Sequence, residues 1–147
     1  MILDALYDLI RRFEGFRSKP YLCPAGVATV GYGSTTWPDG RKVKLTDRPV
    51  SEAVATAMMM EDANRFAAAV ASLSPILWFD EEKHSAIADF AYNLGTTRYK
   101  SSTLRKRVES GDWEGAQEEL QKWVFGGGKK LPGLVARRAA EARLLRS

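Results

Sequence analysis

Residues 23–33 read CPAGVATVGYG. Valine, threonine and tyrosine alternate here with small residues, as in a short strand, and Pro24-Ala25-Gly26 ahead of them is a strong turn signal. The surrounding residues 16–48 are rich in Gly, Pro, Thr, Val and Tyr, and carry a second turn signal at Pro38-Asp39-Gly40. This predicts a small β-hairpin or three-stranded sheet over about 16–48. Such a sheet cannot bury enough apolar surface alone, so it must lean on helices.

Helical patterns flank it on both sides. Leu3, Leu6, Ile10 and Phe13 recur at three- and four-residue steps, which predicts an amphipathic helix over 3–13 with Gly15 as its stop. Glu14 then ends that helix and leads into the sheet. From Ser51 onward the pattern is helical. A long helix over 51–72 carries Val54, Met58, Phe66 and Val70, and Ser74-Pro75 breaks it. Asp80 reads as the N-cap of a helix with Glu81 and Glu82 in its first turn and Gly95 at its end. Two short helices, about 102–109 and 113–124, precede a loop at Gly126-Gly127-Gly128, and Pro132 opens a last helix through Leu145. The expected fold class is α+β, with a small N-terminal β lobe and a larger all-helical lobe. The helical lobe takes about 51–147 plus helix 3–13, and the whole 1–147 forms one domain.

The bulk composition narrows the functional classes. The chain has 147 residues with 45% apolar and 27% charged, a normal globular balance. A single cysteine, Cys23, excludes an internal disulfide. The net charge of +4 favours a polyanionic partner: nucleic acid, an anionic membrane or an acidic cell wall. The N-terminal MILDALYDLIRRFEG is too short and, with Asp4 and Asp8, too charged for a signal peptide or a membrane span. No stable membrane insertion and no export route of the chain's own are therefore expected.

Several residues invite a chemical reading. A cleft is expected between the two lobes, where sites tend to form, and Glu14 can point at it. Against this stands a solvated helix-end glutamate. Thr29 can be a strand former and no more, and Cys23 an inert small hydrophobe. His84, the only histidine, lacks ligand partners at useful spacing, so neither a metal site nor a Ser-His-Asp triad is expected. Gly31-x-Gly33 is followed by Ser34-Thr35 rather than a lysine and a helix, so no phosphate loop forms. Met58-Met59-Met60 reads as packing. Arg137, Arg138, Arg143 and Arg146 read as a solvated basic face that Lys129 and Lys130 extend. The short helices lack a recognition helix rich in base-reading side chains, which argues against nucleic-acid binding.

Taken together, these residues resemble the phage-type lysozymes, the T4-lysozyme-like endolysins of glycoside hydrolase family 24. Glu14, eight residues, Cys23, five residues, Thr29 is that family's spacing of Glu, Asp or Cys, and Thr. FEGFR at 13–17, Tyr21, GVATVGYG at 26–33, FAYNLG at 90–95, Gly111-Asp112-Trp113, Trp123 and LPGLVARRAAE at 131–141 look like the family too, in order along nearly the whole chain.

The resemblance implies a lysozyme-like fold whose lobes are joined by the long helix, and hydrolysis of the β-1,4 bond between N-acetylmuramic acid and N-acetylglucosamine in peptidoglycan. Glu14 would be the general acid, Cys23 would stand where other members have aspartate, and Thr29 would hold the attacking water. Tyr21, Ser34, Tyr92, Asn93 and Thr103 would bind substrate. No cofactor or metal is implied. The partner would be peptidoglycan glycan strands and the enzyme a monomer. It would accumulate in the host cytoplasm and reach the periplasm and wall through a holin-type lesion. A lytic transglycosylase, which manages with one carboxyl group and leaves a 1,6-anhydro end, is the alternative. A non-catalytic wall-binding module is the more distant one.

Overall fold

The computed structural model describes residues 2–146. By the density of backbone contacts the chain divides into two compact units: Ile10–Asp62, and the residues up to Leu9 together with those from Ala63 onward.

In the first unit, helix α1 (Asp4–Glu14) ends where Gly15 takes a φ of +72° and its N–H donates to the Arg11 carbonyl. Strand β1 (Arg17–Leu22) turns at Cys23–Gly26 into strand β2 (Ala28–Gly31). The two run antiparallel with Tyr21 opposite Thr29 and Leu22 opposite Ala28. The register shifts between Arg17 and Tyr21. Pro20 lies in that interval and has no N–H to give the ladder. Among the described residues no third strand joins this pair. Beyond β2 the ribbon continues as isolated bridges, Val30 with Ser34 and Thr36 with Lys42. At Gly31 φ is +66°, and a β-carbon would stand 2.9 Å from Ala55 Cβ, so only glycine lets helix α2 (Glu52–Leu73) lie this close. Val30, Tyr32, Val43, Val50, Ala55, Met58 and Met59 form the buried core here.

The second unit is helical. Helix α2 runs into it, and a 3-10 turn (Pro75–Phe79) follows the Ser74-Pro75 break. Helix α3 (Glu81–Leu94) is capped by the Asp80 carboxylate, which accepts from the Lys83 N–H at 3.1 Å. It is buried without a break from Lys83 to Ala91 and packs against α4 (Thr96–Lys100), α7 (Pro132–Leu144) and the 3-10 turn. Helices α5 (Thr103–Glu109) and α6 (Trp113–Leu120) are capped by Ser102 and Asp112.

Three expectations need correction here. Helix α4, directly after Gly95, is not foreseen by the sequence pattern. Helix α6 stops at Leu120 rather than 124, because Lys122 and Trp123 close turns back to Glu119 and Leu120. The glycine run is not an open loop. Strands β3 (Phe125–Gly126) and β4 (Lys129–Lys130) make a hairpin around Gly127 and Gly128, both at positive φ, which a two-residue hairpin turn demands.

The basic C-terminal face also needs correction. Arg137 and Arg138 are buried, not solvated. Arg137 grips Asp89 with two bonds, Nε to Oδ2 at 2.9 Å and Nη2 to Oδ1 at 2.8 Å. Arg138 Nη2 donates to Asn93 Oδ1 at 2.7 Å and to Glu141 Oε2 at 3.1 Å. Only Arg143 and Arg146 of that set, with Lys129 and Lys130, remain exposed.

Candidate functional site

Glu14 is the last residue of α1, half-buried, one glycine and one phenylalanine ahead of the ribbon. Tyr21 sits near the end of β1, under the Arg17 guanidinium, whose carbon lies 4.0 Å from the ring centre. Burial pushes the Tyr21 hydroxyl above its usual range, the charges of Glu14 and Cys23 push the same way, and Arg17 opposes them. Tyr21 thus lies within electrostatic reach of both Glu14 and Cys23.

Cys23 occupies the turn between the strands and is half-buried, so it is no sealed packing thiol. Its own backbone closes the turn: its N–H donates to Val27 O at 3.0 Å and its carbonyl accepts from the Gly26 N–H at 2.8 Å. The turn gathers N–H groups around the sulfur. The Val27 N–H does most to lower the thiol below its ordinary range; desolvation, next in size, opposes it, and the Ala25 N–H and Thr29 hydroxyl add to the lowering. Thr29, buried on β2, donates its hydroxyl proton to the Val27 carbonyl at 2.9 Å. It has one proton to give, so ionising the sulfur sets these two acceptors in competition.

The remaining expected residues are placed differently. Ser34 is buried and donates to Asp62 Oδ2 at 2.7 Å, an anchor between the ribbon and α2. Tyr92, Asn93 and Thr103 belong to the helical unit. Tyr92 stands edge-on to Phe66 at 5.6 Å, Asn93 holds Arg138, and Thr103 is an exposed residue opening α5. Sequence reasoning missed a hollow of about 470 Å³ along the ribbon, lined by Val27, Thr35, Thr36 and Lys42 among others. Its two hydroxyls and one ammonium suit sugar hydroxyls and a carboxylate. The paired threonines that follow Ser34, both exposed, were the available signal.

His84 is satisfied in the core. Its Nε2 lies 2.8 Å from the Ala67 carbonyl, and burial holds its pKa below the usual value. Among the described residues no three His, Cys, Asp or Glu are grouped to hold a metal ion, and no helix is long and apolar enough to cross a membrane.

The model of the family described as phage lysozyme matches residues 11–141, a span that takes in the ribbon, its turn, and Arg137 and Arg138 of α7. The chain belongs to the phage lysozyme family. An endolysin of Acyrthosiphon pisum secondary endosymbiont phage 1 is 35% identical over 143 residues, covering 95% of this chain and 93% of that one. Among solved structures, the endolysin from Escherichia coli O157:H7 phage FAHEc1 superposes with a TM-score of 0.83 at 30% identity, over 100% of this chain and 94% of that one. A point mutant of P22 lysozyme superposes with a TM-score of 0.82 at 23% identity over the whole of both chains, and shows the fold. The fold is thus lysozyme-like α+β, a small N-terminal β-hairpin followed by a mostly helical lobe. The chain is a peptidoglycan-lytic enzyme of the endolysin kind.

Proposed function

We propose that this endolysin is an N-acetylmuramidase, which adds water across the β-1,4 bond between N-acetylmuramic acid and N-acetylglucosamine. Glu14 gives its proton to the leaving glycosidic oxygen. Cys23, as thiolate, takes a proton from the water that attacks the anomeric carbon. Thr29 orients that water or supports the sulfur. After one turnover Glu14 is a carboxylate and Cys23 a thiol, and proton exchange with solvent restores both. Tyr21 and the hydroxyl-lined hollow beside Val27 contact the glycan. Ser34 supports from behind, and Tyr92, Asn93 and Thr103 are assigned to substrate binding on the family resemblance alone.

The observation that carries this reading is the donor nest at Cys23. A cysteine of ordinary pKa, ~8.5, is a few per cent thiolate at neutral pH and makes a weak base. The Val27 and Ala25 N–H groups raise that fraction, and by the family resemblance this is the position where other members carry aspartate. A thioglycoside would hydrolyse poorly, so the sulfur acts on water rather than on the sugar.

The single carboxyl group supports a second reading, lytic transglycosylation, in which the muramic acid's own hydroxyl attacks. Both readings need Glu14. Glu14→Gln keeps the shape and loses the proton, and should lower wall clearing by ~10²–10⁴-fold with the fold intact. Near wild-type clearing by folded Glu14→Gln protein removes Glu14 from the chemistry.

The same proposal has the enzyme held from its substrate until a separate holin-type lesion opens a path. Cells expressing the chain alone should stay intact until the inner membrane is permeabilised. Lysis without permeabilisation contradicts this route.

A further inference from the structure

Away from the Cys23 turn, the same compact unit holds a second hollow of about 420 Å³. Its lining includes Trp37, Arg41, Asp47, Arg48, Val50 and Val54. The volume is in the range of small-ligand sites, ~300–1,000 Å³. The walls are preset. Trp37 Nε1 donates to Asp47 Oδ2 at 2.7 Å, and the Lys44 N–H donates to the same oxygen at 2.8 Å. These two bonds, the indole's first, hold the Asp47 carboxyl below its usual range and fix the ring in place. Arg41 is taken up by Asp39 at 2.7 Å. Arg48 is exposed and has no hydrogen bond or ion pair among the described residues. A rigid aromatic and aliphatic wall therefore stands beside a guanidinium with nothing to neutralise it.

We infer that this hollow binds a carboxylate-terminated peptide of small apolar residues, the chemistry of the peptide stems of the wall. The carboxylate meets Arg48, which can take both oxygens, and methyl side chains lie against Trp37 and Val54. The source of the peptide rests on the muramidase reading, since muramic acid carries the stems. The hollow is tied to the ribbon: the Val50 N–H donates to Ser18 O at 2.8 Å, and Val50 Cγ1 lies 3.9 Å from where a Gly31 β-carbon would be. A stem bound here gives the enzyme a second hold on the polymer it cleaves and raises the local concentration of glycan at the ribbon.

The test titrates ¹⁵N-labelled wild-type protein with a synthetic stem pentapeptide ending in D-Ala-D-Ala, and with its C-terminal amide. Saturable shifts at Arg48, Val50 and Val54 are expected, with the amide ~5-fold weaker, the scale of an exposed ion pair. Arg48→Glu should abolish them. Shifts confined to other residues, or equal binding of acid and amide, overturn the proposal. A second arm compares intact wall with glycan strands stripped of stems. Arg48→Glu should raise the half-saturating amount of intact wall ~5-fold at unchanged maximal rate, and cleave stripped strands as wild type does. An equal effect on both substrates overturns the proposal. If wild type cleaves neither substrate, the muramidase reading fails, and the titration still decides the pocket.

Discussion

The ribbon turn and the α3–α7 contact both collect ionisable side chains, and they treat them in opposite ways. At the turn, Cys23 is half-exposed and its partners are backbone N–H groups that remain in place whatever its charge. Between α3 and α7, Asp89, Arg137, Arg138 and Glu141 are sealed, and they pair with one another and, through Arg138, with Asn93. Burial, and then the hydrogen bond to Asp89, drive the Glu141 carboxyl well above its usual range. Asp89, although burial alone would raise it, is held below its range by the bonds from Glu141 and Arg137. A fixed donor set around a reachable group favours chemistry. A closed set of mutual partners fixes two helices against each other and is unsuited to catalysis.

At the sealed cluster the expected effect is on stability. Arg137→Met leaves Asp89 buried without the two hydrogen bonds from the guanidinium, and should cost about 3–5 kcal/mol of stability while leaving the activity of the remaining folded protein unchanged. Chemical denaturation and clearing assays on the same preparation check this. A small stability change with a large activity loss would reverse the roles assigned to the two regions.

At the turn the expected effect is on activity. Cys23→Ala removes both the thiolate and the polar contact, and should lower clearing by ~10²-fold, the low end for an acid–base group. Cys23→Asp should keep activity, and Cys23→Ser should fall between the two. Native-state alkylation should react with Cys23 and inactivate the enzyme. Resistance to alkylation, together with an active Cys23→Ala and an unfolded Cys23→Asp, would make Cys23 a packing residue.

The smallest effect separates His84 from both regions. Its folded pKa is depressed by burial. Below about pH 6.5 the unfolded chain takes up a proton that the native protein refuses. Stability should therefore fall as pH drops from ~6.5 towards the folded value, by at most ~1.4 kcal/mol per pH unit, and level off below it. His84→Gln should flatten that slope in urea titrations at a series of pH values. An unchanged slope would assign it to other groups.

What the sequence discloses follows the same division between local and distant partners. Local signals read well. The long helix expected over 51–72 is Glu52–Leu73, Asp80 is a true cap, and Gly15 and Gly95 end their helices. Helix α4 was hidden because Thr96 and Thr97 are poor helix formers and the element has only five residues. Arg137 and Arg138 look solvated in sequence because nothing local names Asp89, 48 positions from Arg137, as a partner. The spacing of Glu14, Cys23 and Thr29 marked the ribbon residues, but the N–H groups of Ala25 and Val27 that surround the sulfur have no side-chain signature at all. The hollow at Trp37 and Arg48 was equally silent, since its walls come from three separate stretches of chain.

On the muramidase proposal, water handled at the Cys23 turn ends each cleavage. Purified peptidoglycan digested in ¹⁸O-labelled water, with the products read by mass, tests it directly. Hydrolysis predicts reducing N-acetylmuramic acid ends that carry one labelled oxygen. Unlabelled 1,6-anhydro ends, lighter by one water, would contradict it and leave Glu14 working without the cysteine's water.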